Sequence, residues 1–280
     1  MSKNTKYEFT GETKVIFGVT LKQIRAISAI ASIFVNVGDI GGWIESEKNL
    51  DVYGDAWVYG NAQVYGNARV YGDARVYGNA QVYGNAWVSG NAQVYGDAWV
   101  SGNALVYGNA RVYGNAQVYG DAWVSGDARV YGNARVYGDA QVYGKARVYG
   151  DAWVYGKAQV SGNAQVYGDA WVYGNAQVYG DARVYGEAWV PGNAQVSPLV
   201  VSGLIYPVTI TDQHIRIGCE VHLIAEWQSF DDDRIASMDG AASARFWKKY
   251  KAILIGLCEA SGRPFAEKSD AEKTTTEAAE

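Results

Sequence analysis

The sequence predicts a mainly β chain folded as a three-sided parallel β-helix, with a β-rich cap before it and a strand-and-helix cap after it. Three observations carry this. From Val52 to Val196 a valine falls at every sixth residue, 25 times without a miss. Glycine keeps the same register from Gly54 to Gly192, and alanine from Ala56 to Ala194, 24 times each. The unit reads Val-Tyr-Gly-Asx-Ala-x, and only the Tyr/Ser, Asp/Asn and x columns vary freely.

A period of six fits neither a helix nor a long flat strand. It fits a short strand plus a corner. Alternation in Ala-x-Val-Tyr sends Ala and Val to one face and x and Tyr to the other. Gly followed by Asp or Asn makes the corner, because these residues adopt positive φ cheaply. Three units close one coil of 18 residues, and stacked coils bury Val and Ala in a thin interior. The 24 units give about eight coils, a prism of roughly 38 Å at ~4.8 Å per rung. Stacked strands leave an open edge at each end, so such a prism needs caps.

The flanks supply them. Residues 1–50 form the expected N-terminal cap, with strand signals at Lys6–Phe9 and Lys14–Phe17 and a helix expected near Leu21–Ile30. Residues 51–198 are the β-helix. Residues 199–265 form the C-terminal cap. Strands are expected at Leu199–Val201, Leu204–Tyr206, Val208–Ile210 and Ile215–Ile217, then a short helix near Ala225–Phe230 and a longer one over Ala241–Cys258. That helix places Phe246, Trp247, Tyr250, Ile253, Leu254 and Leu257 on one stripe. Asp233 is the expected helix cap in the Asp231–Asp233 run. The polar stretch 266–280 reads as a disordered tail.

Composition excludes several classes. With 49% apolar residues the chain affords a core. Two cysteines exclude a disulfide scaffold, and no pair has zinc-finger spacing. A net charge of -5 argues against a nucleic-acid partner. The longest apolar run, Ala26 to Val37, is broken by Ser28 and Ser32 and is too short for a bilayer. No secretory signal is visible, so the expected location is the cytoplasm.

The Val-x-x-x-Ala-x pattern resembles the hexapeptide-repeat family of β-helices, best known from acyltransferases. The resemblance implies a left-handed coil and, since those enzymes are typically trimers, a homo-oligomer (trimer or dimer). The flanks Gly38-Asp39-Ile40-Gly41-Gly42-Trp43-Ile44-Glu45-Ser46-Glu47 and Ile217-Gly218-Cys219-Glu220-Val221-His222 resemble hexapeptide-repeat proteins of bacterial and phage genomes, often loosely labelled transferases. That resemblance implies a phage or prophage origin and imports no firm activity.

Positions 18 apart stack, so the chain reads as three walls. The first carries a Tyr column, including Tyr113, Tyr131 and Tyr149, beside Arg111, Arg129 and Arg147. Arg takes anions and Tyr stacks on bases, so this wall is a candidate site for a small anionic or nucleotide-like ligand. The bland alternative is Arg on Tyr keeping an aromatic face soluble. The second wall carries Trp99, Trp153, Trp171 and Trp189, the last three in consecutive coils. A contiguous aromatic stripe is a candidate interface, against local packing along the ladder. The third wall alternates Tyr and Ser beside Arg69, Trp87, Leu105 and Trp123. At the corners, Asx side chains are expected to serve their own turns. Calcium between stacked pairs such as Asp55/Asp73 or Asp151/Asp169 is the alternative.

The acyltransferase relatives use a His base beside protruding loops. Residues 51–198 contain no His, no Cys and no inserted residue. His214, Cys219 and His222 all follow the repeats and match no standard zinc pattern. The expected reading is a cap strand with a buried Cys and a packed His. The sequence therefore predicts no catalytic residue, metal or cofactor, and a rigid scaffold that presents flat aromatic faces to a host or phage protein or to its own copies. The alternatives are an anion sponge on the Arg/Tyr wall and an acyltransferase using His222 or His214.

Overall fold

The computed structural model describes residues 4–192 and 194–263; the stretch 266–280 lies outside them. Strands β1 (Tyr7–Ile16) and β2 (Val19–Ala26) form an antiparallel hairpin. Its two-residue turn, Phe17 and Gly18, has both φ positive, at 48° and 80°, the backbone hand that matches strand twist. The two strand signals expected in this stretch belong to one strand, with a pairing shift between Phe9 and Thr13.

The helix expected near Leu21–Ile30 is not formed; that stretch is most of β2 followed by a bend. Leu21 and Ile24 have helical spacing. A register shift between Gln23 and Arg25, where β2 pairs with β3 (Ile40–Ile44), lets Leu21, Ile24 and Ala26 all face inward from a strand. β3 then runs parallel to Gln63–Val64, which joins the hairpin to the first coil. The Gly41-Gly42 pair permits this approach. A Cβ on Gly41 would lie 2.6 Å from the Ile24 side chain, and one on Gly42 2.6 Å from Val58.

From Trp57–Val58 to Trp189–Val190 the chain makes a two-residue strand every six residues. Each strand pairs in parallel with the one 18 residues on, as Gln93 does with Arg111. The strands fall into three sheets. One of eight strands runs from Trp57 to Arg183, and one of seven from Arg69 to Gln177. The third, of eleven, continues from β1, β2 and β3 to Trp189. The result is a parallel β-solenoid of about eight coils. Repeat valines from Val58 to Val190 and alanines from Ala56 to Ala194 are buried. Val196 departs from the pattern and is 55% exposed, because the regular strands end at Val190.

The stack has a polarity. Each coil's N–H groups donate to carbonyls of the next coil, as Trp57 does to Ala74 and Arg111 to Ala128. The first coil therefore offers unpaired C=O groups and the last unpaired N–H groups. Donors cover the first edge. The N–H groups of Trp43, Glu45 and Asp51 reach Ala62, Val64 and Val70, and the Asn49 side chain reaches Gly66 and Ala68. Acceptors cover the last edge. Ser197 Oγ takes the N–H of Arg183, Thr209 Oγ1 that of Trp189, and the Asp212 carboxylate those of Gln195 and Val196.

The C-terminal cap is a four-stranded antiparallel sheet, Leu199–Val201, Val208–Ile210, His214–Ile217 and Glu220–Leu223, followed by α1 (Ile224–Ser229) and α2 (Asp232–Ala260). Leu204–Tyr206 is a loop, not the expected strand, and Glu220–Leu223 supplies the fourth strand instead. α2 starts well before Ala241 but breaks at Asp239–Gly240, so the expected helix is its second half. Asp231, not Asp233, caps it: its backbone is extended and its carboxylate accepts from the Arg234 N–H. The buried stripe is Phe246, Trp247, Leu254, Ile255 and Cys258, while Ile253 is exposed. These side chains form a core with Ile210, Ile215, Trp227 and Ile235 that is separate from the solenoid interior.

Candidate functional site

The second wall carries the Trp column. Trp153, Trp171 and Trp189 stack face to face, with centroids 5.0 and 4.6 Å apart. The Arg135 guanidinium lies 4.8 Å from the Trp153 ring, and Arg216 of the cap sheet lies 3.5 Å from Trp189. The column is thus closed by a cation at each end. All three residues are half-buried. Trp99 stands apart, between Gln81 and Gln117, and is 43% exposed.

On the first wall Tyr95, Tyr113, Tyr131 and Tyr149 stack in parallel at 4.8 to 4.9 Å. That spacing leaves no room for a base between rings. Burial, and then the neighbouring phenols, push the Tyr95 and Tyr131 hydroxyls above their ordinary pKa. Arg111, Arg129 and Arg147 lie in register in consecutive coils. With Lys145, Gln93, Asn109 and Asp127 they line a shallow groove of about 450 Å³. None of these cations makes an ion pair within 4.0 Å among the described residues. Like charges in register repel, so the groove offers an anion a ready set of donors.

The third wall holds a patch that sequence reasoning did not single out. Trp87, Leu105 and Trp123 are in register, and each Trp is 43% exposed, with Tyr107 beside them at 38%. The signal was present in the column itself. A Leu stands between the two Trp and small Ser89 and Ser125 flank them, so neither ring stacks on another Trp, although Tyr71 packs edge-on against Trp87 at 6.0 Å and Arg69 lies 5.9 Å from it.

The post-repeat candidates do not converge. His214 pairs with Leu223 and His222 with Ile215, so the two imidazoles lie on opposite faces of the cap sheet. His214 packs over Gly192 at the end of the repeats, where a Cβ would stand 2.8 Å from its Nδ1. Burial pushes its pKa down. His222 sits against Trp227 and Phe230, with Nε2 3.0 Å from Glu220. Cys219 is exposed in the turn between the two strands, contrary to the expected buried Cys; the buried one is Cys258. Among the described residues no group of three or more His, Cys, Asp or Glu is placed to hold a metal ion. No described helix is long and apolar enough to cross a membrane.

The repeats match the family model described as YdcK Beta solenoid repeat, in eleven matches within residues 62–120, 128–156, 158–174 and 176–192. The chain is a β-solenoid repeat protein. No curated protein matches it.

The corners of the solenoid correct one expectation. Among the described residues, Asn side chains there donate to the corner of the next coil rather than serving their own turns. Nδ2 of Asn67 donates to Asn85, Asn85 to Asn103 and Asn103 to Asp121, at 3.1, 2.9 and 2.8 Å. Asn115, Asn133 and Asp151 do the same on another edge. These runs end at Asp, which accepts and cannot donate when ionised. Identical corners one rung apart put an amide donor in reach of the next amide oxygen, as in other in-register stacks.

Proposed function

We propose that this chain is a rigid, non-enzymatic scaffold that offers fixed side-chain walls to a protein partner or to a second copy of itself. One observation carries the reading. From Trp57 to Val190 every coil follows the same strand-and-corner path without an inserted loop, so outward side chains sit on a regular lattice. A partner binding such a lattice loses little to ordering its surface. The wall with Trp87, Leu105 and Trp123 suits this best, since its two Trp are more exposed than the stacked Trp153, Trp171 and Trp189. A dimer or trimer, a bacterial or phage origin and a cytoplasmic setting belong to the same proposal. Light scattering tests it. A discrete oligomer that Trp123→Arg dissociates supports the wall. A protein monomeric at every concentration removes self-association.

A second reading has its own observation. The three in-register arginines with Lys145, unpaired within ion-pair distance, favour capture of a polyanion over a nucleobase. Titration with inorganic tripolyphosphate tests it. Arg129→Ala is expected to weaken binding and leave folding intact, and equal binding by the variant rejects the groove. The acyltransferase reading has no comparable support, because His214 and His222 face opposite sides of their sheet.

A further inference from the structure

The C-terminal cap holds a partly open cavity of about 250 Å³ between its sheet and α2. Ile217, Trp227, Ile235, Met238, Phe246 and Trp247 give it an apolar lining that is half aromatic. Two further features set its chemistry. Trp247 is 3% exposed, and its indole N–H has no acceptor among the described residues. By contrast, Trp227 donates to the Ile215 carbonyl at 2.7 Å. Buried donors are almost always paired, so an orphan beside a cavity points to an acceptor that the described residues do not supply. Glu220 and Asp239 also line the space, and among the described residues no Lys or Arg does, which disfavours an anion. α2 breaks on this wall, at Asp239–Gly240, where the Asp239 carboxylate accepts from the Tyr206 hydroxyl.

We propose that this cavity binds a small neutral aromatic molecule, about one or two rings in size, whose oxygen acceptor takes the Trp247 N–H. The site lies wholly in the cap, so the inference stands apart from the role of the walls.

Three soluble probes test it on the full chain: acetophenone, ethylbenzene as its match without an acceptor, and benzoate as an anion. Acetophenone is expected to bind saturably and to shift the Trp247 indole N–H resonance, identified by its loss in Trp247→Phe. Ethylbenzene is expected to bind roughly 3- to 10-fold more weakly, the worth of one neutral hydrogen bond. Benzoate is expected to bind more weakly than acetophenone because of Glu220 and Asp239. Met238→Trp, which fills the cavity, is expected to abolish binding. Absence of saturable acetophenone binding overturns the proposal, as does equal affinity for ethylbenzene or undiminished binding to folded Met238→Trp. If that variant fails to fold, the probe comparison on the unaltered chain decides.

Discussion

The Asn49 side-chain amide donates to the Ala68 carbonyl at 2.9 Å from a fully buried position. The same nitrogen reaches the Gly66 carbonyl at 3.0 Å, and Oδ1 accepts from the Ser46 N–H at 2.8 Å. One side chain thus closes two open acceptors of the first coil and is itself fixed by the chain before it. Asn49→Ala orphans both carbonyls and is expected to cost about 2–4 kcal/mol at the N-terminal edge. Asn49→Asp aims a carboxylate at two carbonyl oxygens. Its cost is expected to be at least as large at pH 7 and to shrink in acid, where the protonated group regains one donor. Hydrogen exchange in the first coil, against the middle coils as control, measures both. Unchanged protection in Asn49→Asp would reject the polarity argument at this edge.

The corner glycines look alike in sequence and differ in what surrounds them. Gly102 has φ +67°, and a Cβ there would meet the Gly120 nitrogen at 2.8 Å and its oxygen at 2.9 Å. Gly60 has φ +54° and nothing within 4 Å. Gly60→Ala is expected to cost only the left-handed backbone penalty, about 1–2 kcal/mol. Gly102→Ala adds a backbone clash that no rotamer relieves, and is expected to cost several kcal/mol more or to split the stack. Thermal unfolding of the two variants side by side gives the difference. Equal losses would mean that coil spacing relaxes freely.

The solenoid was legible in the sequence because its cause is local and repeated. Each Val, Ala and Gly column reports one fixed environment many times over, and a single register places every wall. The caps were less legible because each of their contacts occurs once. Leu21 and Ile24 carry helical spacing, and only the β3 pairing, set by Gly41 and Gly42 far along the chain, makes them a strand. Asp231 and Asp233 are equivalent neighbours until the path of the helix selects one. The candidate faces were half legible. Alternation told that Trp171 points outward, but not that Arg216, from another sheet, covers the ring stacked on it. The direction of the Asx bonds was hidden because turn chemistry and ladder chemistry call for the same residues.

Alkaline pH should loosen the first wall. Burial, then neighbouring phenols, raise the folded-state pKa of Tyr77, Tyr95 and Tyr131 above the ordinary value of 10.0. A group whose folded pKa is raised contributes stability that is complete below its unfolded value and lost as pH climbs through the folded one. Stability owed to the ladder is therefore expected to hold from pH 7 to about 9 and to decline above about 10. Lys6 acts in the opposite sense at the N-terminal edge. Burial lowers its pKa to about 8, so its contribution rises from pH 8 toward its unfolded value. Tyrosinate absorbance with thermal unfolding at each pH checks the first effect. Phe at positions 77, 95 and 131 is expected to flatten the alkaline loss, and an unchanged pH profile would rule the ladder out as its cause.

The corner ladder makes a prediction whose sign depends on direction. Along one edge donation runs from Asn67 through Asn85 and Asn103 to Asp121, and the next corner is Asp139. Asn85→Asp keeps the bond from Asn67 and loses the donation to Asn103, for an expected cost of about 0.5–1.5 kcal/mol. Asn103→Asp loses its donation as well and also lines up carboxylates at 103, 121 and 139, so it is expected to cost more, with the excess shrinking in high salt. Asp121→Asn is the reverse case. It keeps the acceptor for Asn103, removes one of two adjacent carboxylates and faces a donor toward Asp139. It is expected to be neutral or to stabilise by a few tenths of a kcal/mol up to about 1. Melting temperatures of the three variants at low and high salt separate these outcomes. If Asp121→Asn destabilised as much as Asn85→Asp, the side chains would be serving their own turns and the ladder would carry no weight.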